Sequence, residues 1–100
     1  MNQDIIYDVY LMPGMAANPK IFEFIKLPEN FKTHHLEWQM PYKNELISEY
    51  ALRISSSIKG NNIVLIGVSF GGIIVQEISK IIKCKKVIII SSVKSNKELP

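Results

Sequence analysis

Residues Gly67-Val68-Ser69-Phe70-Gly71 fit the pattern G-x-S-x-G, between the apolar run NIVLI and the longer segment IIVQEISKIIK. Chemistry becomes available when such a serine sits at a corner between a buried strand and a helix. There the backbone is strained, the hydroxyl projects into the open, and converging strand and helix leave no room for side chains two positions away on either side. Gly67 and Gly71 meet that demand, and Gly72 loosens it further. The helix would aim its positive N-terminus at Ser69, where negative charge could develop. Serine is also a frequent helix N-cap, but a cap alone needs no small residues on both sides. Gly67, Ser69 and Gly72 also resemble a degraded G-x-G-x-x-G, yet IIISSVKS lacks the acid that a dinucleotide site expects after the next strand. No Gly-Lys-Ser/Thr follows the loop, so it is not a Walker A sequence.

A second loop falls where an acyl-transfer site would use one. Pro13-Gly14 directly follows the apolar stretch 5–12. A flexible glycine there lets a backbone N–H face a reacting carbonyl, so the N–H groups of Met15 and Phe70 are candidates for an oxyanion hole. A plain Pro-Gly turn accounts for the loop taken alone.

A serine hydroxyl needs a base to take its proton and an acid to orient that base. After Ser69 the chain has no Asp and no His, and its carboxylates there are Glu77 and Glu98. Glu77 is expected two turns into the helix, pointing away. His34 and His35 are expected as surface residues of an edge strand. His35 would lie about three residues, roughly 10 Å, below the strand's end near Trp38, and two strand spacings, about 10 Å, to the side.

The rest of the sequence narrows the field. One hundred residues allow one domain, and 47% hydrophobic with 21% charged residues is an ordinary globular composition. The net charge of +3 owes much to Lys80, Lys83, Lys85, Lys86, Lys94 and Lys97, a set expected at solvated helix ends and loops rather than against nucleic acid. Cys84 is the single cysteine. It excludes an internal disulfide framework, gives no zinc spacing, and is expected as a small packed residue in a reduced, cytoplasmic setting. Asp4 and Asp8 do not suit a signal peptide, and no run nears the roughly 18 apolar residues of a membrane span. No cofactor and no metal are expected.

These residues need a scaffold, and the pattern supplies one. Strands are predicted at 5–12, 33–38, 63–67 and 86–91. A short helix is predicted from Asn18 and Pro19, burying Ile21, Phe22, Phe24 and Ile25. A second is predicted over 48–59, with Ala51, Ile54, Ser55 and Ile58 inward, Glu49 and Arg53 on the wet face, and Gly60 as its stop. A third is predicted over 70–83, with Ile74, Ile78, Ile81 and Ile82 as its stripe. Such alternation implies βαβ crossovers and a parallel sheet. IVLI and VIII lack polar alternation and read as strands buried on both faces. THHLEW alternates, as an edge strand does.

Together, YLMPGMAANPKIFEFIKLPENFKTHHLEWQMP and NIVLIGVSFGGIIVQEISKIIKCKKVIIISS resemble the N-terminal part of an α/β-hydrolase, over essentially the whole chain. The resemblance implies a three-layer α/β/α fold whose parallel sheet of about four strands has the spatial order second, first, third, fourth. It implies Ser69 as nucleophile, Met15 and Phe70 as oxyanion donors, and an ester or related acyl compound as substrate. In that family the acid and then the histidine follow the nucleophile. Residues 1–100 are therefore expected to form a single, incomplete hydrolase domain, inactive alone, and a fragment of a longer product rather than a natural truncation. The fourth strand would leave an open edge suited to self-association. The rival expectation is a non-catalytic interaction protein using that edge.

Overall fold

The computed structural model describes residues 5–14, 22 and 26–90. In chain order the elements are β1 (Tyr7–Met12), β2 (Phe31–His35), α1 (Ile47–Ser55), β3 (Ile63–Val68), α2 (Phe70–Ser79) and β4 (Lys86–Ile90). The four strands form one sheet in the order β2-β1-β3-β4. Every pairing is parallel, so the fold is α/β, as the alternation of elements predicts. The spatial order also matches the expectation.

The two inner strands are apolar on both faces because both faces are covered. On one face Tyr10 and Met12 of β1 and Ile63 and Leu65 of β3 pack with Tyr50, Ala51 and Ile54 of α1 and Ile74, Val75 and Ile78 of α2. On the other, Val9, Leu11, Val64, Ile66 and Val68 pack with Phe22. Both described helices thus lie on one face. The helix expected from Asn18, which would supply a third layer, falls mostly outside the described residues.

β4 departs from the doubly buried strand that VIII suggested. Ile89 and Ile90 are 46% and 42% exposed. Among the described residues no strand pairs beyond β4, so its faces have cover from one side only. β2 begins earlier and ends earlier than predicted. Phe31 packs against Tyr7 with tilted rings whose centroids lie 4.8 Å apart, and pairing stops at Leu11↔His35. The next link is a single bond from Leu36 N–H to Leu11 O at 2.8 Å.

Both helices also stop short of the predicted ends, for a shared reason. Ser55, Ser56 and Ser57 donate their hydroxyls to the carbonyls of Leu52, Arg53 and Ile54. Ser79 donates likewise to Gln76 at 2.6 Å. Serine hydroxyls that compete for backbone carbonyls weaken helix continuation. Ile58 and Ile82 therefore join the core from the segments beyond the helices, and Ile81 is left exposed. Gly60, with φ 136°, lies well past the end of α1.

Candidate active site around Ser69

β3 ends at Val68 and α2 begins at Phe70, so Ser69 makes the whole turn. Its φ of 55° and ψ of −123° lie in a sparsely populated region for a residue with a side chain. Such a conformation costs of order 1–3 kcal/mol and persists only where the surroundings impose it. Here they do. Ser69 N–H donates to Ile90 O at 2.8 Å and Gly72 N–H donates to Ser69 O at 2.9 Å, so the turn is pinned to the end of β4 and to its own helix.

The glycines are required by contact. A Cβ on Gly67 would lie 2.6 Å from the carbonyl carbon of Gly71 and 2.7 Å from Cα of Gly72. On Gly71 it would lie 2.6 Å from the carbonyl oxygen of Pro13 and would also meet that of Met12. Strand and helix therefore approach each other backbone to backbone, and α2 presses against the end of β1.

Ser69 is exposed, and its side chain makes no capping bond to the helix it precedes. Among the described residues the Phe70 N–H donates to no backbone carbonyl. The first turn of α2 carries no acidic residue, so the positive end of its dipole is not neutralised from within. Among the described residues, an exposed hydroxyl without a capping bond thus stands beside a backbone N–H without a backbone acceptor, two of the parts that attack on a carbonyl uses. Gly67, Ser69, Phe70 and Gly71 are brought together with Pro13. Met15, the other candidate oxyanion donor, lies outside the described residues.

Trp38 holds this corner in place and was not singled out by its sequence position. Its indole N–H donates to Pro13 O at 2.9 Å. Its ring lies 5.5 Å from that of Phe70 and 5.9 Å from that of Tyr50. One side chain therefore joins the loop after β1, the segment after β2 and the starts of both helices. The available signal was a lone tryptophan just past the end of an edge strand.

Neither histidine, nor the one described carboxylate after Ser69, is placed to serve it as base. His34 Nε2 lies 2.8 Å from Asp8 Oδ1 and its ring stacks on Tyr10 at 4.5 Å. Because β2 ends at His35, that residue stands at the strand's end and not three residues below it. Yet it is level with Leu11, which is level with Ile66. Ser69 is three residues further on, so the offset is still roughly 10 Å along the strands and about 10 Å across them. Glu77 is paired with Lys80 at 2.9 Å. Glu98 lies outside the described residues.

Glu45 and Phe70 line the same pocket, but Glu45 is committed elsewhere. Arg53 Nε donates to its Oε2 at 2.7 Å and Nη2 to its Oε1 at 2.8 Å. The hydrogen bonds from Arg53, joined by one from Tyr42 N–H, hold its pKa down to about 2 despite its burial. A carboxylate that weakly basic is a poor proton acceptor at neutral pH. Arg53, expected on the wet face, also reaches Gln39 and Met40 and lies 3.8 Å over the Tyr42 ring.

Cys84 is half-buried, and burial pushes its thiol pKa up, away from reactivity. Among the described residues no group of three or more His, Cys, Asp or Glu side chains is arranged to hold a metal, and no helix is long and apolar enough to cross a membrane. No family model, curated protein or solved structure matches the chain.

Proposed function

We propose that the chain carries the nucleophile half of an α/β-hydrolase acting on carboxylic esters or related acyl compounds in the cytoplasm. Ser69 Oγ attacks the acyl carbonyl, and the N–H groups of Phe70 and Met15 take up the charge on its oxygen. Thioesters and amides fit the same machinery, since acyl transfer constrains the nucleophile more than the acyl group. The carrying observation is the Ser69 turn, strained at φ 55° with its hydroxyl unused for capping. The base and its orienting acid are not supplied by the residues after Ser69, so these 100 residues alone hydrolyse esters negligibly and take up little serine-directed fluorophosphonate. Robust labelling that disappears in Ser69→Ala would show that a base is present after all.

Imidazole added at high concentration stands in for the missing histidine and separates the nucleophile from its helpers. With p-nitrophenyl acetate as acyl donor, peptide mapping is expected to find acetyl on Ser69 in preference to Ser55, Ser56, Ser57 and Ser79. Acetylation spread evenly over the serines would overturn the reading. A second reading, an interaction protein, is favoured by one observation, the exposed Ile89 and Ile90 on the open strand β4. It expects concentration-dependent association that Ile90→Lys abolishes, measured by sedimentation.

A further inference from the structure

A pocket of about 150 Å³ lies between the segment after β2 and the starts of α1 and α2, lined by Trp38, Leu46, Ile47, Tyr50, Phe70 and Ile74, with Glu45 beside them. In a parallel sheet, segments that leave strands and enter helices gather at the C-terminal edge of the strands, so this pocket opens on the same edge as Ser69. Phe70 belongs to both. Its N–H is the proposed oxyanion donor and its ring is pocket wall.

The polar atoms on that wall are already occupied. Trp38 Nε1–H is taken by Pro13 O. The Tyr50 hydroxyl donates to Gln39 O and accepts from Gln39 N–H. Both Glu45 oxygens accept from Arg53. What the pocket offers a ligand is therefore hydrocarbon surface. Its volume is about that of a cavity which accepts benzene.

Resting on the reading of Ser69 as nucleophile, we infer that this pocket receives the apolar group attached to the scissile carbonyl, a hydrocarbon of about six carbons. It selects medium-chain over acetyl-sized substrates. Each buried methylene contributes about fourfold in affinity.

Trp38 is the single tryptophan of the chain, so its fluorescence reports occupancy directly. Methyl hexanoate is expected to give a saturable change with a Kd at least about tenfold below that of methyl acetate, and methyl dodecanoate to gain no more than about threefold over hexanoate. Ile47→Phe, which narrows the rim, and Leu46→Lys, which charges it, are expected to weaken hexanoate binding at least about tenfold. Both positions are exposed, at 47% and 64%, so the Lys variant decides if the Phe variant fails to fold. Ser69→Ala is expected to leave the titration unchanged. No saturable change, equal affinity for acetate and hexanoate, or binding indifferent to a folded rim variant would overturn the pocket. Failure of Ser69 to take acetyl would overturn the nucleophile and leave the pocket standing.

Discussion

The two helices of this fold begin in opposite ways, although both pack on the same face of the sheet. α1 starts conventionally. Leu46 sits in extended conformation at φ −75° and ψ 157°, and Glu49, one turn in, accepts its N–H at 2.8 Å. That is the acidic half of a capping box, and it places negative charge at the dipole's positive end. The preceding left-handed residue is Asn44, at φ 63°, a type that tolerates that region. α2 starts with Ser69 at φ 55°, no capping bond and no acid in its first turn. One terminus is satisfied from within the chain. The other is held strained by packed glycines and left open to whatever arrives. Ser69 thus bears backbone strain without the capping bond that a serine in its place commonly makes, which is the contrast on which the proposed role rests.

The sharpest way to break this contrast is to disturb the packing that imposes it. Gly71→Ala places a Cβ against the carbonyl oxygens of Met12 and Pro13, which are backbone atoms with no rotamer to yield. A loss of about 3 kcal/mol is expected in urea denaturation, with acetylation at Ser69 lost in step. Pocket and elbow share Phe70, so the same variant should weaken methyl hexanoate binding as well.

Just before α1, an ion pair makes stability depend on pH. Glu45 has a folded pKa of about 2 against an ordinary 4.5, lowered chiefly by its hydrogen bonds from Arg53. Between those values the unfolded chain binds more protons than the folded one, so stability falls as pH falls. The contribution is whole above about pH 4.5 and is lost as pH approaches about 2. A Glu45→Gln variant should show a shallower decline of the urea midpoint across that window. An equally steep decline would remove Glu45 as its source.

Smaller effects divide the two termini further. Ser69→Gly relieves the strained φ but gives the unfolded chain more freedom, and a net gain of about 1 kcal/mol is expected in the same assay. Glu49→Ala removes the partner of Leu46 N–H and an acid from the first turn of α1, for an expected loss of about 0.5 kcal/mol. No change there would mean that α1 gains nothing from its acid.

The parts of this arrangement legible in the sequence are those set by local sterics. The spacing of Gly67, Ser69 and Gly71 marks the turn because backbone crowding acts within five residues, and the apolar run 63–68 marks an inner strand because both its faces are buried. What was not legible depends on distant partners. Trp38 meets Pro13, 25 residues earlier, only because β2 ends at His35 and the chain swings back. Arg53 is half-buried on its face of α1 because Glu45, Gln39 and Met40 gather around it. The helix ends are not legible because a serine's hydroxyl can turn back to a carbonyl or out to water with the same local sequence. The exposure of Ile89 and Ile90 on β4 follows from which neighbours the strand has, which a run of isoleucines does not encode.

Ser69, as proposed, is held in its turn by packing and keeps its hydroxyl for chemistry rather than for capping α2. Urea denaturation of Ser69→Ala tests it most directly. Stability within about 0.3 kcal/mol of the parent is expected, because the hydroxyl makes no capping bond to lose. A loss of about 1 kcal/mol or more, the ordinary cost of removing a serine N-cap, would contradict it.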